Sequence, residues 1–142
     1  MADDPGHVPD PVELGLRSAA QLVVVELNAR MDAGDIEGAL ELYAEDAVLQ
    51  AVRGKAAIRQ TMRHSSAAGT GQAACHVVSN MRCMTEGDSV LVHCTVVAYL
   101  LDSPRPYGAN AILNLHYVMK PLSDGNLRIV EQRVDDYELT YS

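Results

Sequence analysis

The first half of the chain carries apolar residues at the spacing typical of helices. From Val12 onwards they recur about every three or four residues, and the pattern stops at the segment DAGD. A second stripe runs through DIEGALELYAED, and after the short strand AVLQAV a third runs through KAAIRQTMRHSS. The pattern predicts three helices, with Gly34 as the break and Asp35 as the cap between the first two.

The second half of the chain changes to strand periodicity. Four runs rich in β-formers, QAACHVVSNMRCMT, SVLVHCTVVAYLL, ANAILNLHYVMK and NLRIVEQRVDDYEL, are separated by turn segments. Helices followed by an antiparallel meander predict an α+β fold, with the helices packed on one face of a strongly curved sheet. We expect one domain over residues 13–142, preceded by a flexible, proline-rich arm over residues 1–12.

The strand ANAILNLHYVMK raises a question about its polar residues. Side chains alternate along a strand, so Asn110, Asn114 and His116 share one face with Ile112, and apolar residues cover the other. If the polar face meets water, the strand is an ordinary half-buried one. If it meets a cavity, the two amides are placed to hold a ligand.

The strand SVLVHCTVVAYLL is apolar on both faces. One face, formed by alternate residues from Val90 to Leu100, can line an enclosed core. The other face, with Leu91, Val97 and Leu101, must be covered too. We therefore expect a homodimer formed through the sheet.

The chain is acidic, with 11 Lys and Arg against 19 Asp and Glu among 142 residues and a net charge of -8. Its basic residues are scattered, which argues against nucleic acid and against an anionic membrane surface as partners. No apolar run approaches the roughly 18 residues of a membrane span, and no apolar segment of a secretory signal follows the start. We expect a cytoplasmic protein.

Few residues have the spacing of a known kind of catalytic site. His, Cys and acidic residues do not recur at metal-ligand spacing and no glycine-rich phosphate loop occurs, so we expect neither a metal nor a cofactor. His76 is the candidate acid–base group because imidazole titrates near neutral pH; the alternative is a structural or surface histidine. Tyr43 and Tyr99 could bring hydroxyls to an aliphatic cavity, although such tyrosines are more often core residues.

Two longer segments carry a family resemblance. DAGDIEGALELYAEDAVLQAVRGKAAIRQTM resembles the helix–helix–strand opening of the SnoaL-like polyketide cyclases, and HVVSN with GDSVLVHCTV resembles their middle hairpin. These proteins are a branch of the nuclear transport factor 2-like superfamily. The resemblance covers nearly the whole chain after the arm. It implies a cone-shaped α+β barrel enclosing a pocket, a small apolar or polyketide-like ligand, and a role in secondary metabolism.

Within that superfamily the chain is similar to scytalone dehydratases at three positions. Asp32 in MDAGD, His76 in CHVVSN and Asn114 in NLHY match an aspartate, a strand histidine and a substrate-holding asparagine. The resemblance implies that these three residues are catalytic, with Asp32 orienting His76. It also implies that Asn114, and by alternation Asn110, look into the pocket.

The chain departs from those enzymes at their second histidine, because its neighbouring long strand carries Ala98, Tyr99 and Leu100 in that region. Tyr99 or a bound water would then have to act as the partner acid. The residues expected to contact the substrate are Asn110, Ile112, Tyr99, Tyr43 and Leu100.

Three classes of function follow from the sequence. The first is a cofactor-independent lyase, isomerase or cyclase that acts by His–Asp acid–base chemistry on a small apolar carbonyl compound. The second is a binding or carrier protein that uses the same pocket without chemistry, and the third is a structural dimerisation module. An enzyme needs an acid–base pair at the pocket, whereas a carrier needs only a matching shape.

Overall fold

The computed structural model describes residues 8–135. Its helices are α1 (Pro11–Asp32), α2 (Ile36–Leu40), α3 (Lys55–Ser65) and α4 (Ala67–Thr70). Helix α1 begins inside the segment predicted as an arm, because the Asp10 carboxylate accepts a hydrogen bond from the Glu13 amide at 2.9 Å and Pro11 fits the first helical position. Residues 1–7 of the predicted arm lie outside the described residues.

Six strands form one curved sheet: β1 (Tyr43–Leu49), β2 (Val52–Arg53), β3 (Ala74–Glu86), β4 (Ser89–Leu100), β5 (Ala109–Pro121) and β6 (Leu127–Asp135). Their order across the sheet is β2-β1-β6-β5-β4-β3. Strands β3 to β6 form the predicted antiparallel meander. The helices pack on one face of this open sheet, so the predicted α+β fold is confirmed.

The second helix is shorter than predicted. The sequence pattern continues it through YAED, but α2 ends at Leu40 and Tyr43 begins strand β1. Strand β1 runs parallel to β6, where Tyr43 is paired with Ile129 and the Leu42 carbonyl accepts from the Ile129 amide at 2.9 Å. This pairing with a strand more than eighty residues away overrides the local helical pattern.

Extra residues interrupt the alternation of β5 and β6, as one also does in β3 between Ser79 and Arg82. In β5, Ala98 faces Ala111 and Tyr99 faces Ala109, so Asn110 is an extra residue without a counterpart. In β6, Val118 faces Glu131 and Met119 faces Ile129, so Val130 is extra in the same way. Each of these β-bulges moves the following residues to the opposite face of the sheet.

Candidate functional site

A cavity of about 370 Å³ lies between the helices and the concave face of the sheet. Strands β4 and β5 line it with alternate residues, and the helical side is formed by α1, α3 and α4. The apolar part of the wall includes Met31, Val96, Ala98, Leu100, Leu113 and Val134. Its size and mainly apolar wall are typical of a small-molecule site.

His76 and Asp32 meet at the wall of this cavity. Asp32 is the last residue of α1, and one carboxylate oxygen lies 2.5 Å from Nδ1 of His76 in β3. Its other oxygen accepts from the His76 backbone amide at 2.9 Å. The carboxylate therefore fixes both the backbone and the ring of His76, and the contact expected between these two residues is present.

The contact also decides how the imidazole is protonated. An ionised Asp32 carboxylate can only accept, so Nδ1 carries a proton, and in the neutral ring Nε2 is then the acceptor. Within residues 8–135 no protein atom is bonded to Nε2 of His76. His76 lines the cavity, and its Nε2 has no partner among the described residues that would keep it from a bound molecule.

The prediction that Asn114 looks into the pocket is wrong. Leu113 and Leu115 take the cavity side of β5, so Asn114 lies on the convex side, where its Oδ1 accepts from the Thr95 hydroxyl at 3.2 Å. Asn110 does line the cavity. It lies there because the bulge turns it to the same side as Ala111, and not because it shares a face with Asn114.

Two further expected substrate contacts are also on the convex side. Ile112 is paired with Val97, and Tyr99 is separated from the cavity because its neighbours Ala98 and Leu100 take the inner face of β4. The expectation that Ile112 and Tyr99 line the cavity is therefore wrong, because the residues on either side of each take the cavity side and side chains alternate along a strand. Leu100 and Tyr43 do line the cavity.

Sequence reasoning missed Gln132 as a cavity residue. The buried Tyr43 hydroxyl donates a short hydrogen bond to its Oε1, and burial raises the pKa of Tyr43 far above the ordinary tyrosine range. Side chains alternate along a strand, so Gln132, three residues after the buried Ile129, would be expected on the outer face. The bulge at Val130 reverses this, and no local signal in the sequence marks it.

A second histidine–aspartate pair lies on the convex face. Nε2 of His116 is 2.5 Å from Oδ2 of Asp135, and the His116 ring stacks on His93 with centroids 4.5 Å apart. Burial, and next the charge of His116, lower the pKa of His93. His93 and His116 line a depression of about 390 Å³ whose wall also contains Arg82 and Arg133.

Two further properties concern metals and membranes. Among residues 8–135, no three His, Cys, Asp or Glu side chains are grouped as a metal site would require. In the same part of the chain, none of the helices has the length and apolar character needed to cross a membrane.

The sequence matches the SnoaL-like domain over residues 24–119, which is more than half of the chain. The chain belongs to the SnoaL-like domain family. No curated protein sequence matches it. Family membership agrees with the helices and curved sheet that enclose the cavity of this SnoaL-like protein.

Solved structures share this fold at low sequence identity. A nuclear transport factor 2-like protein with a cystatin-like fold, from Novosphingobium aromaticivorans, is 18% identical, with a TM-score of 0.71 over 90% of this chain and 90% of that one. A protein from the same organism, provisionally called a scytalone dehydratase, is 18% identical, with a TM-score of 0.71 over 91% and 92%. A Catenulispora acidiphila protein solved in complex with S-DNPA is 14% identical, with a TM-score of 0.73 over 87% and 96%.

Proposed function

We propose that this SnoaL-like protein is a cofactor-independent lyase, isomerase or cyclase that acts on a small apolar carbonyl compound, such as a polyketide intermediate. The observation that carries the proposal is the Asp32–His76 pair at the wall of a mainly apolar cavity. A cytoplasmic location and a role in secondary metabolism are parts of the same proposal.

The chemistry begins with proton removal by Nε2 of His76 from a carbon next to the substrate carbonyl. The C–H electrons form a carbon–carbon double bond, and the carbonyl oxygen takes the negative charge of an enolate. Asp32 holds the resulting imidazolium through Nδ1 and stabilises its charge.

The second step returns the proton from Nε2. In a dehydratase the enolate expels a β-hydroxyl, which takes this proton and leaves as water. In an isomerase the proton returns to a different carbon. One imidazole carries the proton in both directions, so the scheme consumes no external acid, oxidant or reductant.

The alternative function is a non-catalytic binding or carrier protein. The apolar wall favours it, since shape and apolar contact alone are sufficient to hold a small molecule. The complex of the Catenulispora acidiphila protein with S-DNPA is a precedent for a bound small molecule in this fold.

A proton-exchange experiment with 2-tetralone distinguishes the enzyme from the carrier. This compound is a small apolar ketone with acidic C–H bonds next to its carbonyl. NMR in D₂O measures deuterium uptake at those carbons, with and without EDTA. The proposal expects uptake faster than in buffer, insensitive to EDTA and lost in His76→Ala. Binding of 2-tetralone without accelerated uptake would reject catalysis and support the carrier.

We also propose that the protein forms a homodimer through the convex face of its sheet. Val77, Val97 and Ile112 are paired side by side across three strands of this face, and Val77 is 46% exposed. Light scattering at micromolar concentration should give twice the chain mass, and Val77→Glu should shift it towards the monomer. A wild-type monomer would contradict the proposal.

A further inference from the structure

Three polar side chains gather on the strand β5–β6 side of the cavity, away from His76. Tyr117 of β5 is paired directly with Gln132 of β6, and Tyr43 of β1 donates its hydroxyl proton to the Gln132 Oε1. All three residues line the cavity. The proton transfers proposed for His76 use none of them.

The Tyr43 contact fixes the orientation of the Gln132 amide. Tyr43 is only 1% exposed, and its hydroxyl has no other acceptor within residues 8–135, so it must donate to the amide oxygen. The amide nitrogen then points elsewhere with two N–H groups. Among the described residues, no acceptor is bonded to that nitrogen.

Tyr117 offers a second donor at the same place. The residue is 2% exposed, and burial raises its pKa well above the ordinary tyrosine range, so its hydroxyl keeps its proton. No hydrogen-bond partner of this hydroxyl occurs within the described part of the chain, although the residue lines the cavity. The hydroxyl keeps some accessible surface at the cavity, so an oxygen atom of a bound molecule can accept a hydrogen bond from it.

The sheet order separates these donors from His76. Strands β4 and β5 lie between β3, which carries His76, and β6, which carries Gln132. Neighbouring strands are about 4.8 Å apart, so β3 and β6 are roughly 14 Å apart across the sheet. Gln132 is also displaced along the strands, because it is paired with Tyr117, about 20 Å along β5 from Ala111, the residue in register with His76 through Ala98. An oxygen held by Gln132 and Tyr117 is therefore not the carbonyl oxygen directly beside the carbon that His76 deprotonates.

We propose that Gln132 and Tyr117 form an oxygen-binding end of the cavity, and that the ligand is an extended ring ketone with a second oxygen function, a hydroxyl or carbonyl, at the far end of its ring system. Tyr43 is the positioning residue that holds the Gln132 amide. The inference rests on the proposed function only in assigning the reacting end of the ligand to His76.

The test compares two ligands that differ in the distal oxygen, 2-tetralone and its 6-hydroxy derivative. Isothermal calorimetry measures both dissociation constants in wild type, Tyr117→Phe and Gln132→Glu. Gln132→Glu keeps an acceptor for Tyr43 and removes the amide donors, so it remains informative if Tyr117→Phe fails to fold. His76→Ala and the convex-face variant His116→Ala are the matched controls.

Wild type should prefer the hydroxylated ligand, by roughly 2- to 12-fold for each hydrogen bond made. Tyr117→Phe and Gln132→Glu should each lose part of this preference, while both controls keep it. A wild type without preference, or a preference unchanged in both cavity variants, overturns the inference. So does a preference lost only in His76→Ala, because the hydroxyl would then bind at the other end.

The binding preference is independent of catalysis. If 2-tetralone exchange depends on His76 but the preference is absent, the oxygen-binding end is wrong and the proposed reaction stands. If the preference is present without any accelerated exchange, the oxygen-binding end stands and the protein is a carrier.

Discussion

The protein contains two histidine–aspartate pairs of the same length on opposite faces of one sheet. In both, a ring nitrogen lies 2.5 Å from a carboxylate oxygen, and the histidine side chains are similarly exposed, 25% for His76 and 28% for His116. His76 lines the cavity between the helices and the sheet, whereas His116 stacks on His93 beside a depression of similar size on the outer face, which has Arg82, Glu131 and Arg133 in its wall. The face of the sheet, and not the hydrogen-bond distance, separates a candidate site from a surface contact.

The two aspartates also differ in what else they hold. Asp32 accepts a hydrogen bond from the backbone amide of His76 and also contacts its ring, so the imidazole is fixed relative to the strand. Asp135 lies between His116 and the guanidinium of Arg133, 3.8 Å away, on the outer surface. A positioned base requires the first arrangement, because proton transfer depends on a fixed geometry.

The largest expected effect comes from removing each histidine in turn. His76→Ala should reduce the accelerated exchange of 2-tetralone by about 10²–10⁴-fold, the usual loss of a positioned general base. His116→Ala should leave it within about threefold of wild type, far short of that loss. Equal losses of exchange in the two variants would show that both histidines support the folded structure, and that His76 has no special role in proton transfer.

Removing the charge of each aspartate tests the pairing itself. Asp32→Asn should lose nearly as much exchange as His76→Ala, and the double variant should be no worse, since effects within a catalytic unit are not additive. The matched change Asp135→Asn should have little effect on exchange. Additive losses from Asp32→Asn and His76→Ala would show that the two residues do not act as a unit.

Asn114→Ala distinguishes the two faces through stability. On the convex side it removes one hydrogen bond with Thr95, so the free energy of unfolding should fall by about 0.5–1.5 kcal/mol while exchange is unchanged. Urea unfolding and the deuterium assay measure the two quantities. A loss of exchange of about 10²-fold or more, as expected of an oxyanion donor, would instead place Asn114 at the reacting oxygen.

The smallest expected effect is a pH dependence of stability from the convex face. Because the pKa of His93 is lowered in the folded protein, the unfolded chain binds a proton at this histidine more readily. The contribution of His93 to the free energy of unfolding is therefore fully present above pH 6.5, the ordinary pKa of histidine. It is lost as the pH falls through the lower pKa that His93 has in the folded protein. The charges of His116 and Arg82 act in this direction, and Asp135 opposes them. Urea unfolding between pH 8 and pH 5 should show a smaller decrease for His93→Phe, and an unchanged decrease would exclude His93 as its source.

Much of the fold could be predicted because the long strands carry a clear two-residue period. The inner face of β4, from Val90 to Leu100, follows from alternation alone. Only the end of strand β1 is predicted, within AVLQAV; its first half is not, because YAED continues a helical stripe and becomes a strand only through its pairing with β6. Local periodicity carries no information about a partner so far along the chain.

The candidate site could be predicted only in part, because a match to a family does not fix the face of a residue and a bulge changes the alternation of side chains. His76 and Asp32 were found through their resemblance to known enzymes, and their contact is present. The resemblance places Asn114 in the pocket, whereas the register of β5 puts it on the outer face. Simple alternation from Ile129 would also put Gln132 on the outer face, because it does not include the extra residue at Val130. A bulge has no reliable sequence mark, so each one reverses the predicted faces beyond it.

The hydrogen bond from the His76 amide to Asp32 links the end of helix α1 to the edge of the sheet. Strand β3 is an edge strand, and this amide points away from β4 to the end of helix α1. Its hydrogen can exchange with solvent only when the end of α1 separates from β3, so its exchange rate measures how often the helix lifts from the sheet edge. Each such opening also releases the imidazole from its carboxylate, so the fraction of time for which the base is correctly held is set by the docking of one helix end.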